Sequence, residues 1–189
     1  MVLLSELPES RLQHWIQGSY YHKISGSWRL LETHEDGKAE VDIHVVDEAW
    51  AFRLEGQRKF PFLKNGKCAD VVIVERKEHR WILHLIECKR TIIEKKWRET
   101  KEQFEGALLR MLAILGVLGI HEVHEVKCYT AFRNDFSPHL TKNPAMLKSV
   151  AGVSPMLDWE GNRIQILSLK NCTHIKIPLD EQGRGKVVL

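Results

Sequence analysis

Three side chains at one spacing could do metal-assisted chemistry in this chain: Asp70, then Glu87 and Lys89 flanking Cys88. Two carboxylates that meet can hold a hard cation such as Mg²⁺ or Mn²⁺, which takes carboxylate, carbonyl and water oxygens. A cation so held lowers the pKa of a bound water and stabilises charge on a phosphodiester. A lysine beside it can orient that water or neutralise the transition state. The tripeptide alone decides little, because D-x-K or E-x-K occurs six times: Asp36-Lys38, Glu75-Lys77, Glu87-Lys89, Glu94-Lys96, Glu99-Lys101 and Glu125-Lys127. The first two read as turns. The next pair after Lys89 falls on a helix, where i and i+2 face apart, as does Glu99-Lys101. Glu125-Lys127 opens a strand. Only Glu87-Lys89 closes an apolar strand that follows another strand carrying an acid.

The elements that must position these groups are two apolar runs, Val71 to Val74 and Trp81 to Ile86, turning at Arg76 to Arg80. Side chains alternate along a strand, so Trp81, Leu83, Leu85, Glu87 and Lys89 share one face. Cys88 points away, while its carbonyl stays near the same edge. If the strands pair antiparallel, Asp70 comes beside Glu87 and Lys89. Charges buried there are costly unless paired or bound to metal. The alternative is a strand-start Asp70 in a turn and a solvated strand end at Glu87 and Lys89.

Around this hairpin, "SELPESRLQHWIQGSYYH" reads as a helix, with Leu12, Trp15, Ile16 and Ser19 at helical spacing. Strands follow over "SGSWRLLETHEDGKAEVDIHVVDEAWAFRLEG", with Asp36-Gly37 as a two-residue hairpin signal. "QRKFPFLKNGK" reads as a loop. After Thr91 a long helix begins, with Ile93, Trp97, Phe104, Leu108, Met111, Leu115 and Leu118 on one face and Gly119 at its end. A strand over "VHEVKCYTAF", a loop from Asn134 to Pro155 and short strands near 164–169, 174–177 and 186–189 complete the chain. This order is that of an α/β (α+β) domain on one mixed sheet. We expect a single domain over 1–189, with its core at about 8–132 and a C-terminal β extension at about 156–189.

Composition excludes several classes. The 189 residues carry a net charge of +3, which allows nucleic-acid binding without arguing for it. No apolar stretch has the length of a membrane span, and no signal peptide opens the chain, so a cytoplasmic protein is expected. The four cysteines form no C-x-x-C pair and read as free thiols. His121 and His124 are not on one helix face, as a zinc-binding H-E-x-x-H needs. His84 points opposite to Glu87. Lys95, Lys96, Arg98 and Lys101 could grip phosphates or form a solvated helix face. Arg58-Lys59, Lys64 and Lys67 lie in the loop leading to Asp70.

Asp70, a hairpin, Glu87-Cys88-Lys89 and an amphipathic helix together resemble the core of the PD-(D/E)xK nuclease superfamily, over about residues 68 to 132. The resemblance implies a restriction-endonuclease-like mixed sheet flanked by helices. It implies Mg²⁺- or Mn²⁺-dependent hydrolysis of phosphodiester bonds in nucleic acid, DNA favoured over RNA, in restriction, repair or defence against phages and mobile elements. Asp70, Glu87 and the Cys88 carbonyl would be metal ligands, and Lys89 the catalytic lysine. Gln103, on the helix, is similar to the glutamine of RecB-like members, which lies close to the active-site lysine. The chain departs from the pattern at Ala69, where proline is common, and at Ala107, where an aromatic is expected. The further acid or histidine of many members has candidates in Glu9, His14 and Gln17 of the first helix, or in Glu40 and Asp42. The alternative is a nuclease-fold subunit that binds nucleic acid or protein with little or no catalysis. A homodimer or a place in a larger complex fits either reading.

Overall fold

The computed structural model describes residues 9–55, 60, 62–135 and 155–189. The elements in chain order are α1 (Glu9–Trp15), a 3₁₀ turn (Gly18–Tyr20), β1 (Tyr21–Glu32), β2 (Ala39–Phe52), β3 (Val71–Lys77), β4 (Arg80–Ile92), α2 (Glu94–Leu118), β5 (Glu125–Asp135), α3 (Pro155–Glu160), β6 (Arg163–Ile166), β7 (Leu169–Pro178) and β8 (Arg184–Val188). One mixed sheet runs β1-β2-β3-β4-β5-β7-β6, and β8 pairs with β2. The α/β class expected from the element order is therefore observed, as a large mixed sheet flanked by helices.

The central strands are largely apolar because both of their faces are buried. Val72, Val74, Leu83 and Leu85 pack against Trp97, Phe104, Leu108 and Met111 of α2. Val71, Ile73, Ile86 and Cys88 face Val41, Ile43 and Ile177 in a second core. That second core exists because β2 curls. Its end, Ala49–Phe52, pairs with β3, while Glu40–His44 pair with β8 in parallel. A bulge in β1 between Ile24 and Gly26 accompanies the bend.

β3 and β4 are antiparallel and β4 and β5 parallel, with α2 as the crossover. Arg110, buried inside α2, donates to the carbonyls of Leu54 at 3.1 Å and Gly66 at 3.0 Å, so one guanidinium holds the chain on both sides of the β2–β3 connection. Among the described residues no helix is long and apolar enough to cross a membrane. All four cysteines are free and buried.

Several local expectations need correction. The N-terminal helix is short: Ser19 lies in the 3₁₀ turn, and the chain is already extended at Tyr21. Asp36-Gly37 is not a two-residue turn but part of the six-residue connection between Glu32 and Ala39. The tight turn is Glu78-His79, with φ of 49° and 66° and no glycine to announce it. Ile93 precedes α2 and is 43% exposed, so the buried stripe begins at Trp97. Arg58-Lys59 and residues 136–154 of the expected loop lie outside the described residues.

Candidate active site

The register of the β3–β4 hairpin sets the site. Val71 opposes Ile86, so Asp70, just before β3, meets Glu87. The Asp70 N–H donates to Glu87 Oε2 at 3.2 Å. The Cys88 N–H donates to Asp70 Oδ2 at 2.7 Å. Lys89, two residues on and on the same face, makes an ion pair through Nζ with Glu87 Oε1. Asp70, Glu87, Lys89 and Gln103 line one cavity of about 220 Å³. The structure thus brings together Asp70, Glu87, Cys88, Lys89 and Gln103, and the solvated-strand-end alternative fails on burial: Asp70 is 8% and Glu87 1% exposed.

α2 fixes the site from behind. The side chain of Gln103 reaches the cavity beside Glu87 and favours its ionised form, and its Oε1 is buried without a partner. Its carbonyl accepts the Ala69 N–H at 3.1 Å, which ties the residue before Asp70 to the helix. Asn65 Nδ2 donates to the Glu102 carbonyl at 2.8 Å, and Lys67 pairs with the Glu102 side chain. This close approach requires Gly106, where a Cβ would stand 1.9 Å from the Lys67 carbonyl oxygen.

The connection between β1 and β2 closes the other side. The Arg90 N–H donates to the Asp36 carbonyl at 2.6 Å, and Lys96 pairs with Asp36 at 3.3 Å. Gly37 lies against the Cys88 carbonyl, and a Cβ there would come within 2.7 Å of the oxygen. Glu32, His34, Asp36, Glu55 and Lys96 also line the cavity. Of these, sequence reasoning named only Lys96, as one of several cations that could grip phosphates; Asp36 was assigned to a turn, and no local pattern marks Glu32, His34 or Glu55. The candidates named for a further acid lie elsewhere. α1 packs at the far end of α2, where Arg11 donates to the Leu118 carbonyl; Gln103 and Leu118 are about 22 Å apart along the helix. Glu40 and Asp42 pair with Arg29.

Burial dominates the electrostatics. It pushes the Asp70 carboxyl well above the usual range, and the Glu87 charge adds to the effect. Glu87 is raised to about 7 by burial, although Lys89 and Gln103 act to lower it. Two buried acids against one ammonium leave an excess of negative charge, which a divalent cation would offset. Among the described residues no group of three or more His, Cys, Asp or Glu side chains could hold a metal. The oxygens such a cation would find at the cavity are those of the Asp70 and Glu87 carboxyls, with the Cys88 backbone beside them. This set fits Mg²⁺, which keeps several waters and takes one or two carboxylates.

Other polar groups find partners within the fold. His84 is buried, with Nδ1 at 2.9 Å from Tyr129 Oη and Nε2 at 3.1 Å from Glu75. His124 Nδ1 accepts the Trp81 N–H at 3.2 Å and closes the start of β4. Lys96, Arg98 and Lys101 pair with Asp36, Glu94 and Asp158, as a salt-bridged helix face would. Compared with family models, curated proteins and solved structures, the chain matches none.

Proposed function

We propose that this chain is a metal-dependent nuclease of the PD-(D/E)xK type, with a restriction-endonuclease-like fold. The observation that supports it most is the meeting of Asp70, Glu87 and Lys89 at one end of the β3–β4 hairpin, backed by Gln103. The antiparallel hairpin followed by a helical crossover to a parallel strand supports the fold assignment. Asp70, Glu87 and the Cys88 carbonyl would hold Mg²⁺ or Mn²⁺. Bound there, the cation would supply an acidified water and positive charge toward a phosphodiester.

The chain's own groups have separable roles. Lys89 holds three Nζ protons beside the Glu87 carboxylate. It can turn them to a phosphoryl oxygen, where negative charge grows in the transition state. Gln103 would favour the ionised form of Glu87, and burial of the carboxylates strengthens each interaction. DNA is the favoured substrate, with a role in restriction, repair or defence.

The test is cleavage of supercoiled plasmid and of labelled single strands with Mg²⁺ or Mn²⁺. Nicking that stops in chelator and in Lys89→Ala supports the reading. Binding without cleavage by the wild-type protein would replace it with the binding-subunit alternative.

A further inference from the structure

The turn that closes one side of the candidate site carries a histidine. It runs from His34 to Gly37, and the Gly37 N–H donates to the His34 carbonyl at 3.0 Å. The turn is fastened on several sides. The Arg90 N–H donates to the Asp36 carbonyl at 2.6 Å, Lys96 of α2 pairs with the Asp36 side chain at 3.3 Å, and Gly37 lies against the Cys88 carbonyl. The anchors at Cys88 and Arg90 flank Lys89 on β4. His34 therefore lines the same cavity of about 220 Å³ as Asp70, Glu87 and Lys89, from a fixed position.

The turn commits one edge of the imidazole and leaves the other open. Glu32 Oε1 accepts the His34 N–H at 2.7 Å, and His34 Nδ1 accepts the Asp36 N–H at 3.4 Å. A backbone amide can only donate, so Nδ1 carries no proton and the neutral ring holds its proton on Nε2. Among the described residues that Nε2–H has no partner. The ammonium groups of the cavity do have partners: Lys89 pairs with Glu87, and Lys96 with Asp36 and Glu99.

An open donor in a cavity calls for an acceptor from the ligand. Glu32, Asp36, Glu55, Asp70 and Glu87 line the same cavity, so a cation at position 34 would be drawn to carboxylates. A neutral N–H is not captured in that way, and it makes a strong hydrogen bond to an ionised phosphate oxygen. Resting on the nuclease reading, we propose that His34 binds a phosphate of the substrate backbone through Nε2–H, as a neutral donor. It transfers no proton, since giving up Nε2–H would leave an imidazolate. Its part is to fix the strand beside Asp70 and Glu87, so that the reaction starts from an aligned phosphodiester.

Fluorescence anisotropy of a short labelled DNA duplex, titrated in chelator and again with Ca²⁺, reads binding, and plasmid nicking with Mg²⁺ is followed in parallel. The titrations are run at about pH 8, where an ordinary imidazole is neutral. His34→Gln keeps an N–H near the Nε2 position, and His34→Asn keeps an acceptor near the Nδ1 position. Together they separate the phosphate contact from the bond inside the turn. His34→Asn and His34→Ala are expected to weaken binding about tenfold, and His34→Gln to stay near wild type. The slope of log affinity against log salt should be the same in every variant, because a neutral donor displaces no counterion. Loss of a cationic contact would instead make it shallower by about 0.9. Full binding by His34→Asn with weak binding by His34→Gln overturns the proposal, since His34 would then serve the turn alone. Equal binding by wild type and variants overturns it too, as does a shallower slope in His34→Ala. With wild-type cleavage intact, any of these results leaves the nuclease reading standing. A wild type that neither binds nor cleaves ends both.

Discussion

Asp70 and Glu87 bind each other's strand ends: the Asp70 N–H donates to Glu87 Oε2 at 3.2 Å, and the next residue along, Cys88, donates its N–H to Asp70 Oδ2 at 2.7 Å. Two acids are thereby held side by side in a buried place, each oriented by the other's backbone. Stability alone would favour apolar or singly charged residues there.

This arrangement has a pH signature. An unfolded glutamate titrates near 4.3, and Glu87 in the folded chain titrates at about 7. Between those values the native state holds more protons than the unfolded state, so stability falls as pH rises. Below the window the group costs nothing extra, and above it the full penalty is present. The metal-free melting temperature is expected to fall from about pH 5 to pH 8 relative to Glu87→Gln, which has no carboxyl to ionise. Mg²⁺ should recover the loss in wild type and not in the variant. Parallel melting profiles for the two proteins would refute this.

Lys89→Ala should remain folded and lose cleavage by about a hundredfold or more. Its ammonium is the cation paired with Glu87, so the variant's Glu87 should keep its proton to higher pH. Melting should therefore suffer more at about pH 8 than at about pH 6, where a proton replaces the ion pair. Wild-type nicking rates in Lys89→Ala would remove the lysine from the chemistry.

Gln103→Ala removes a side chain that favours the ionised form of Glu87 but leaves the backbone bond from Ala69 to the Gln103 carbonyl. Turnover is expected to drop about tenfold, or about 1.4 kcal/mol of transition-state stabilisation, with the melting temperature nearly unchanged. Equal rates at saturating Mg²⁺ would show that the glutamine only fills the rim of the core.

Gly37→Ala should lift the β1–β2 connection off the site. A Cβ there meets the Cys88 carbonyl oxygen at 2.7 Å, closer than packing allows, so either the loop or β4 must move. The Arg90 amide, now bonded to the Asp36 carbonyl at 2.6 Å, should exchange with solvent faster, while the Val72 and Leu85 amides stay protected. Unchanged exchange at Arg90 would mean that the loop absorbs the methyl group without opening.

The sequence by itself determined the elements whose physics is local. The alternation from Trp81 to Lys89 placed Glu87 and Lys89 on one face, and the hairpin brought Asp70 beside them, because strand period and antiparallel pairing leave few other arrangements. The helical stripe from Trp97 to Leu118 identified the layer behind the site in the same way. Only the tertiary structure decided the rest. Glu32, Asp36 and Glu55 come to the cavity through the curl of β2 and the reach of the β1–β2 connection, and neither is encoded in a short pattern. Asp36-Gly37 carried the signal of a tight turn, yet Gly37 is needed for its contact with the Cys88 carbonyl. Glu78-His79 makes the tight turn without any glycine. There the pairing of two fully buried strands outweighs the local cost of positive φ, since packing energy summed along a hairpin exceeds the preference of one or two residues.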